Sequence, residues 1–224
     1  MPPHVVAEMV ELALQYDVTY DVHLSGGVHD DLEQNENYYS RIARLIHNKH
    51  PTTMISLETT PPLTADGLQK YKESGISSLI MNLEIADEVV RRRICPGKST
   101  ISLERYFEAY EEGVNVFGRW NVASVLLWGI EGVSKEQVIN CVERMCSIGV
   151  YPVIMPFQPL KGSALQQARP TDANEFLKIS QEVGSIIAKS LKDQSVCKFG
   201  CIHCGACSIE NNFLKEISHE HLNH

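Results

Sequence analysis

Strand-like and helix-like segments alternate along this 224-residue chain, and the alternation predicts an α/β protein of parallel strands, either a partial (β/α) barrel or an open sheet. Two further observations point the same way. The strand-like segments are continuous apolar runs, as strands covered on both faces are. They number five, where a closed barrel of this kind has about eight. A cysteine-rich stretch follows the last helical pattern. The expected organisation is therefore a barrel part over 1–192 and a cluster-binding tail over 193–224.

The elements follow in order. Apolar residues Val5, Val6, Met9, Val10, Leu12 and Leu14 recur with a rough helical period and predict a helix over 3–16. The segment 18–27, VTYDVHLSGG, is β-branched and aromatic and stops at a glycine pair, so it reads as a strand and turn. An amphipathic helix is expected over 35–50, opened by the capping residue Asn35. A strand over 53–62 is halted by Pro61 and Pro62. A helix over 64–75 runs from a Thr cap to a Gly stop, and a strand over 76–84 follows. The pattern repeats with a helix over 100–113 ending at Gly113 and the most hydrophobic strand over 121–132. Next come a Ser-capped, Gly-stopped helix over 134–149, a strand running into a loop over 151–162, and a long helix over 171–192.

Hydrophobic residues make up 43% of the chain, enough for a real core at this length, and the net charge of −8 lacks the basic face a nucleic-acid partner requires. The first residues show no basic region followed by an apolar run, and no apolar stretch reaches the roughly 18 residues of a membrane span. A cytoplasmic protein with neither nucleic-acid nor membrane partners is the expectation. Of seven cysteines, Cys95, Cys141 and Cys146 are scattered and read as structural thiols.

In parallel β/α folds, ligands sit at the C-terminal ends of the strands. Those ends carry Ser25, Gly26 and Gly27; Glu58; Asn82 and Glu84; Gly129 to Gly132; and Pro156 to Ser163. A glycine pair either makes a plain turn or lets a ligand approach the backbone. Glu58 and Glu84 would point into one mouth from neighbouring strands, as acceptors for an amine or a ribose hydroxyl.

From Leu68 to Leu165 the chain resembles the radical S-adenosylmethionine (SAM) superfamily, on the biotin synthase-like branch that includes the hydrogenase maturase and the pyrrolysine-pathway mutase. The likeness rests on a helix ending ESG, a strand ending NLE, a loop reading R…PGKS, a helix ending EEGV, a strand ending GIE, and the stretch VIMPFQPLKGSAL. HLSGG is similar to the family's glycine motif, extending the likeness to roughly residues 3–168. The resemblance implies a TIM-type barrel, SAM and a [4Fe–4S] cluster as cofactors, and reductive cleavage of SAM to a radical that attacks a small-molecule substrate. It also implies an electron donor such as a ferredoxin or flavodoxin. Carried over position by position, it places Ser25, Gly26 and Gly27 at the amino group of SAM, although Val28 stands where the family has an acidic residue. Asn82 and Glu84 fall at the ribose and methionyl carboxylate, Gly129 to Glu131 under the adenine, and Pro156 to Gln158 along the adenine edge. Arg119 is either a partner of the methionyl carboxylate or a surface ion pair.

The family's C-x3-C-x2-C loop is absent from the first 190 or so residues. A chain cut short and a protein that never binds SAM productively both fit that observation. Near the C-terminus, CKFGCIHCGAC places Cys197, Cys201, Cys204 and Cys207 within eleven residues, the first three at the same spacing. Four thiolates at this density suit a [4Fe–4S] cluster, or alternatively zinc. The preceding stretch IIAKSLKDQSV reads as a helix end and loop rather than a strand, which favours an auxiliary cluster over a relocated SAM-activating one. The histidines His219, His221 and His224 are either further ligands or a solvated end. The rival reading is a non-catalytic iron–sulfur or zinc-binding β/α protein.

Overall fold

The structure is a computed structural model and describes residues 1–16, 21–27, 31–191, 200, 204, 206–210 and 212–214. Its centre is one five-stranded, wholly parallel sheet. The strands are β1 (Asp21–Leu24), β2 (Met54–Glu58), β3 (Ile76–Ile80), β4 (Val122–Trp128) and β5 (Val150–Pro156), and they lie in sequence order. Each crossover places its strand beside the previous one. That is the winding of a barrel, because a doubly wound sheet reverses direction at a switch point.

The helices are α1 (Pro3–Tyr16), α2 (Leu32–Lys49), α3 (Ala65–Glu73), α4 (Glu88–Ile94), α5 (Leu103–Phe117), α6 (Lys135–Ile148) and α7 (Ala173–Leu191). No described helix is long and apolar enough to cross a membrane. Several boundaries differ from the sequence pattern for local reasons. The α2 helix starts at Leu32 because Asp31 caps it, accepting from the backbone N–H of Glu33 and Gln34 at 3.0 and 3.1 Å. Asn35 lies buried within that helix and donates to Thr59 Oγ1 at 3.2 Å. The α5 helix runs through Gly113 to Phe117 because that glycine is a packing residue. A Cβ there would lie 3.4 Å from Val122 of β4. The α6 helix follows expectation, with a Ser134–Gln137 capping box and a left-handed Gly149 at its end.

One core lies between sheet and helices. Ile55, Leu57, Leu79, Val122 and Ile154 are completely buried against helical residues such as Ala43, Leu68, Tyr110, Val142 and Val183. Each large aliphatic chain buried this way contributes about 1.5–3 kcal/mol. Cys141 and Cys146 belong to this core, and burial pushes both thiols up.

Described residues from the C-terminal stretch touch both edges of the sheet. At the first edge, the N–H of Gly200 donates to Asp21 Oδ2 at 2.7 Å. At the other, Ile154 N–H of β5 donates to Glu210 Oε1 at 3.0 Å, and Phe213 packs on Gly184 of α7. Glu210 thus supplies an acceptor to an otherwise open strand edge.

Candidate functional site at the strand C-termini

Glu58, the last residue of β2, is the hub of the site. Ser25 Oγ, just past β1, donates to its Oε2 at 3.0 Å. Asn82 Nδ2, just past β3, donates to its Oε1 at 2.8 Å. The Asn82 side-chain oxygen Oδ1 accepts from Val125 N–H at 3.1 Å, which turns its amide nitrogen toward Glu58. His23 completes the group: its Nε2 lies 3.4 Å from Glu58 Oε2, and its Nδ1 lies 2.8 Å from Ser56 Oγ. The parallel register that sets His23 beside Ser56 makes this contact possible. The His23 hydrogen bond is the main cause that holds the Glu58 carboxyl below the ordinary range, against the opposing effect of burial, with Ser25 and Lys98 assisting. Glu58 and Asn82, both read at strand ends, are brought together, a pairing the sequence did not show. His23 is a site residue that the sequence reading missed, although its alternation with Ser25 along β1 was the available signal.

Glu84 lies further along the mouth in a left-handed conformation, φ 70°, and its backbone bridges to Leu126. A non-glycine residue in this region is strained, and such strain concentrates at functional sites. Its carboxylate is ion-paired with Lys98. The loop that carries Lys98 is tied down by Arg91, which is completely buried. The Arg91 guanidinium donates to the carbonyls of Leu83, Ile101 and Lys98 at 3.1, 2.7 and 2.7 Å and stacks 4.8 Å from the Tyr106 ring. The PGKS segment was legible as a motif, but the role of Lys98 in it was not.

The glycines divide by function. Gly26 is small because a Cβ would press on the Tyr39 hydroxyl at 3.0 Å, whereas Gly27 faces open space. Gly129, φ 93°, is closed off: a Cβ there would lie 2.2 Å from Thr171 Oγ1. Gly129→Ala is therefore expected to cost about 2 kcal/mol through left-handed strain and overpacking, measurable by chemical denaturation. Beside Gly129 lies a cavity of about 630 Å³, lined by Ile130, Glu131, Phe157, Arg93, Ile94 and Leu165, among others. Pro156 ends β5. The next residue, Phe157, gives its N–H to Trp128 and its carbonyl to Thr171, so this backbone is already spent within the protein.

Arg119 does not reach the mouth. It precedes β4, at the opposite end of the sheet from the mouth, and its guanidinium caps the end of α6 through the carbonyls of Cys146, Ser147 and Ile148. Of the cysteine cluster, Cys204 and Cys207 are exposed free thiols, while Cys197 and Cys201 lie outside the described residues. Among the described residues no three His, Cys, Asp or Glu side chains converge as a metal site.

Comparison with known proteins decides the family: the model of the radical SAM superfamily matches residues 1–145. The chain belongs to the radical SAM superfamily. It is 32% identical over 137 residues to bacteriochlorophyllide c C-7(1)-hydroxylase of Chlorobaculum limnaeum, a match covering 60% of this chain and 34% of the relative. The chain thus spans about a third of that relative's length. Among solved structures, coproporphyrinogen III oxidase of Escherichia coli, a radical SAM enzyme, superposes with a TM-score of 0.62 at 18% identity, over 83% of this chain and 44% of that one. A radical SAM methyltransferase of Sphaerobacter thermophilus superposes at 0.61 and 14% identity, over 91% of this chain and 59% of that one. These likenesses share the TIM-type barrel fold, and the family match names the superfamily as a whole rather than its biotin synthase-like branch.

Proposed function

We propose that this radical SAM chain binds SAM across the strand C-termini and carries an auxiliary [4Fe–4S] cluster on its C-terminal cysteines. The observation that carries the reading is the Glu58 hub. Ser25, His23 and Asn82 hold the carboxylate, while 34% of its side chain stays exposed. An anionic acceptor beside the open Gly27 fits the ammonium group of SAM. Lys98, which also pairs with Glu84, suits the methionyl carboxylate in the place expected of Arg119, and Ile130 and Phe157 in the Gly129 cavity offer apolar surface to the adenine. In this family, SAM bound at a reduced [4Fe–4S] cluster supplies a 5′-deoxyadenosyl radical that takes hydrogen from the substrate. The residues of this chain orient the methionyl and ribose groups and shield them from water. An external one-electron donor is part of the proposal. Because the curated relative is a hydroxylase of bacteriochlorophyllide c, that compound is the first substrate to assay.

The donor set of Cys197, Cys201, Cys204 and Cys207 fits iron–sulfur ligation in its chemistry. Anaerobically purified protein is expected to hold about four irons and four sulfides per chain, lost in a Cys204→Ala/Cys207→Ala variant. Release of 5′-deoxyadenosine on addition of SAM and dithionite is expected only where a SAM-activating [4Fe–4S] cluster with an open iron is supplied, because the cluster proposed on the four C-terminal cysteines is fully ligated by protein. About one zinc and no sulfide would overturn the iron–sulfur assignment in favour of a structural zinc knuckle.

A further inference from the structure

We infer that His23 is the positioning residue of Glu58, and that its charge sets how strongly this site holds an ammonium group. The inference rests on the reading of the site as one for SAM. Beneath the ring, Ser56 is 1% exposed and cannot retreat. Gly200, φ 66°, presses on it so closely that a Cβ there would lie 2.9 Å from Ser56 Oγ. The ring is therefore seated on a fixed hydroxyl with one edge toward Glu58.

This seat accepts two protonation states. In the neutral ring with hydrogen on Nε2, Ser56 Oγ–H donates to Nδ1 and Nε2–H points at Glu58 Oε2. In the imidazolium, both ring N–H groups donate, and the Ser56 hydroxyl turns to the carbonyl of Val22, 3.4 Å away. Protonation thus breaks no contact to Ser56 or Glu58 that another does not replace, and it adds a positive charge against the hub carboxylate. An imidazolium there competes with a ligand cation for the same carboxylate; a neutral ring leaves the carboxylate's charge to the ligand.

The described groups that face the pair come from every neighbouring element. Ser25 and Asp21 belong to β1 and its end, and Asp21 is engaged by Gly200 N–H. Tyr39 comes from α2, Asn82 from the end of β3, and Lys98 from the loop that follows α4. Glu84 balances Lys98 through its own ion pair.

The test compares the affinities of SAM and 5′-methylthioadenosine, which lacks the ammonium and carboxylate groups, by calorimetry between pH 5.5 and 7. In wild type the SAM to methylthioadenosine affinity ratio is expected to rise with pH, by up to about tenfold. In His23→Gln, which keeps hydrogen-bonding atoms toward Ser56 and Glu58 without titrating, the ratio is expected to stay flat. A flat wild-type ratio, or an unchanged slope in the variant, overturns the inference. A second arm needs no ligand: carboxyl-carbon NMR of Glu58 in wild type and His23→Leu. There the Glu58 titration is expected to move up toward the ordinary range. An unmoved titration overturns the inference even where SAM binds, whereas a moved titration without any SAM binding supports the His23–Glu58 coupling and removes the SAM reading instead.

Discussion

Replacing Arg91 with methionine is expected to cost about 4 kcal/mol of stability and to lower the melting temperature by about 10 °C. The charge of this fully buried guanidinium is compensated by three backbone carbonyls and the face of Tyr106. Hydrogen bonds from a charged donor contribute about 1.5–3 kcal/mol each, and their loss strands the buried Leu83 carbonyl and leaves the half-buried carbonyls of Ile101 and Lys98 without this partner. Methionine preserves much of the packing volume and so isolates the polar loss. Two of those carbonyls, Leu83 and Lys98, belong to residues that flank or form the Glu84–Lys98 pair. The variant should therefore loosen the mouth as well as the fold. Arg91→Lys keeps the charge but offers a point donor instead of a planar fork, and is expected to recover only part of the loss. A methionine variant that melts with wild type would remove Arg91 as the tie of this loop.

Glu210→Gln is expected to flatten the dependence of stability on pH between about 4.5 and 7. Burial is the main cause that raises the Glu210 carboxyl to about 7, opposed by Ser208 and by backbone donors including Ile154. A carboxyl raised in the folded state binds its proton more tightly there than when unfolded. Its stabilisation is complete below the unfolded value and is lost as pH rises through about 7. The window corresponds to at most about 3 kcal/mol. At pH 5 the two proteins should be similar, and at pH 8 the glutamine variant should be the more stable. The amide keeps an oxygen for Ile154 N–H, and its second polar atom occupies the position of Glu210 Oε2, a buried oxygen without a described partner. Hydrogen exchange at Ile154 locates the effect: exchange beyond the intrinsic rise at pH 8 in wild type, absent in the variant. Equal pH profiles for the two proteins would contradict the assignment.

What was legible in the sequence follows from the range of each signal. The Ser134–Gln137 capping box and Gly149 act within one helix turn, so α6 was read correctly from local residues. The five strands were legible because strands covered on both faces are long apolar runs. Gly113 misled because a glycine that ends a helix and one that admits a neighbouring strand look alike until Val122 is seen beside it. Glu58 and Asn82 were legible by position at strand ends. His23 and Lys98 were not, because their roles depend on register between strands and on a loop held by Arg91. Arg119 was misplaced for the same kind of reason: a guanidinium just before a strand starts at the end remote from the mouth, where the carbonyls closing α6 claim it.

The most direct test of the account is equilibrium dialysis of SAM against wild type and Glu58→Ala. The account predicts saturable binding of one SAM per chain in wild type and a loss of about tenfold or more in the variant, the effect of removing a charge-assisted partner. Absence of saturable binding, or equal affinity in both proteins, would contradict it.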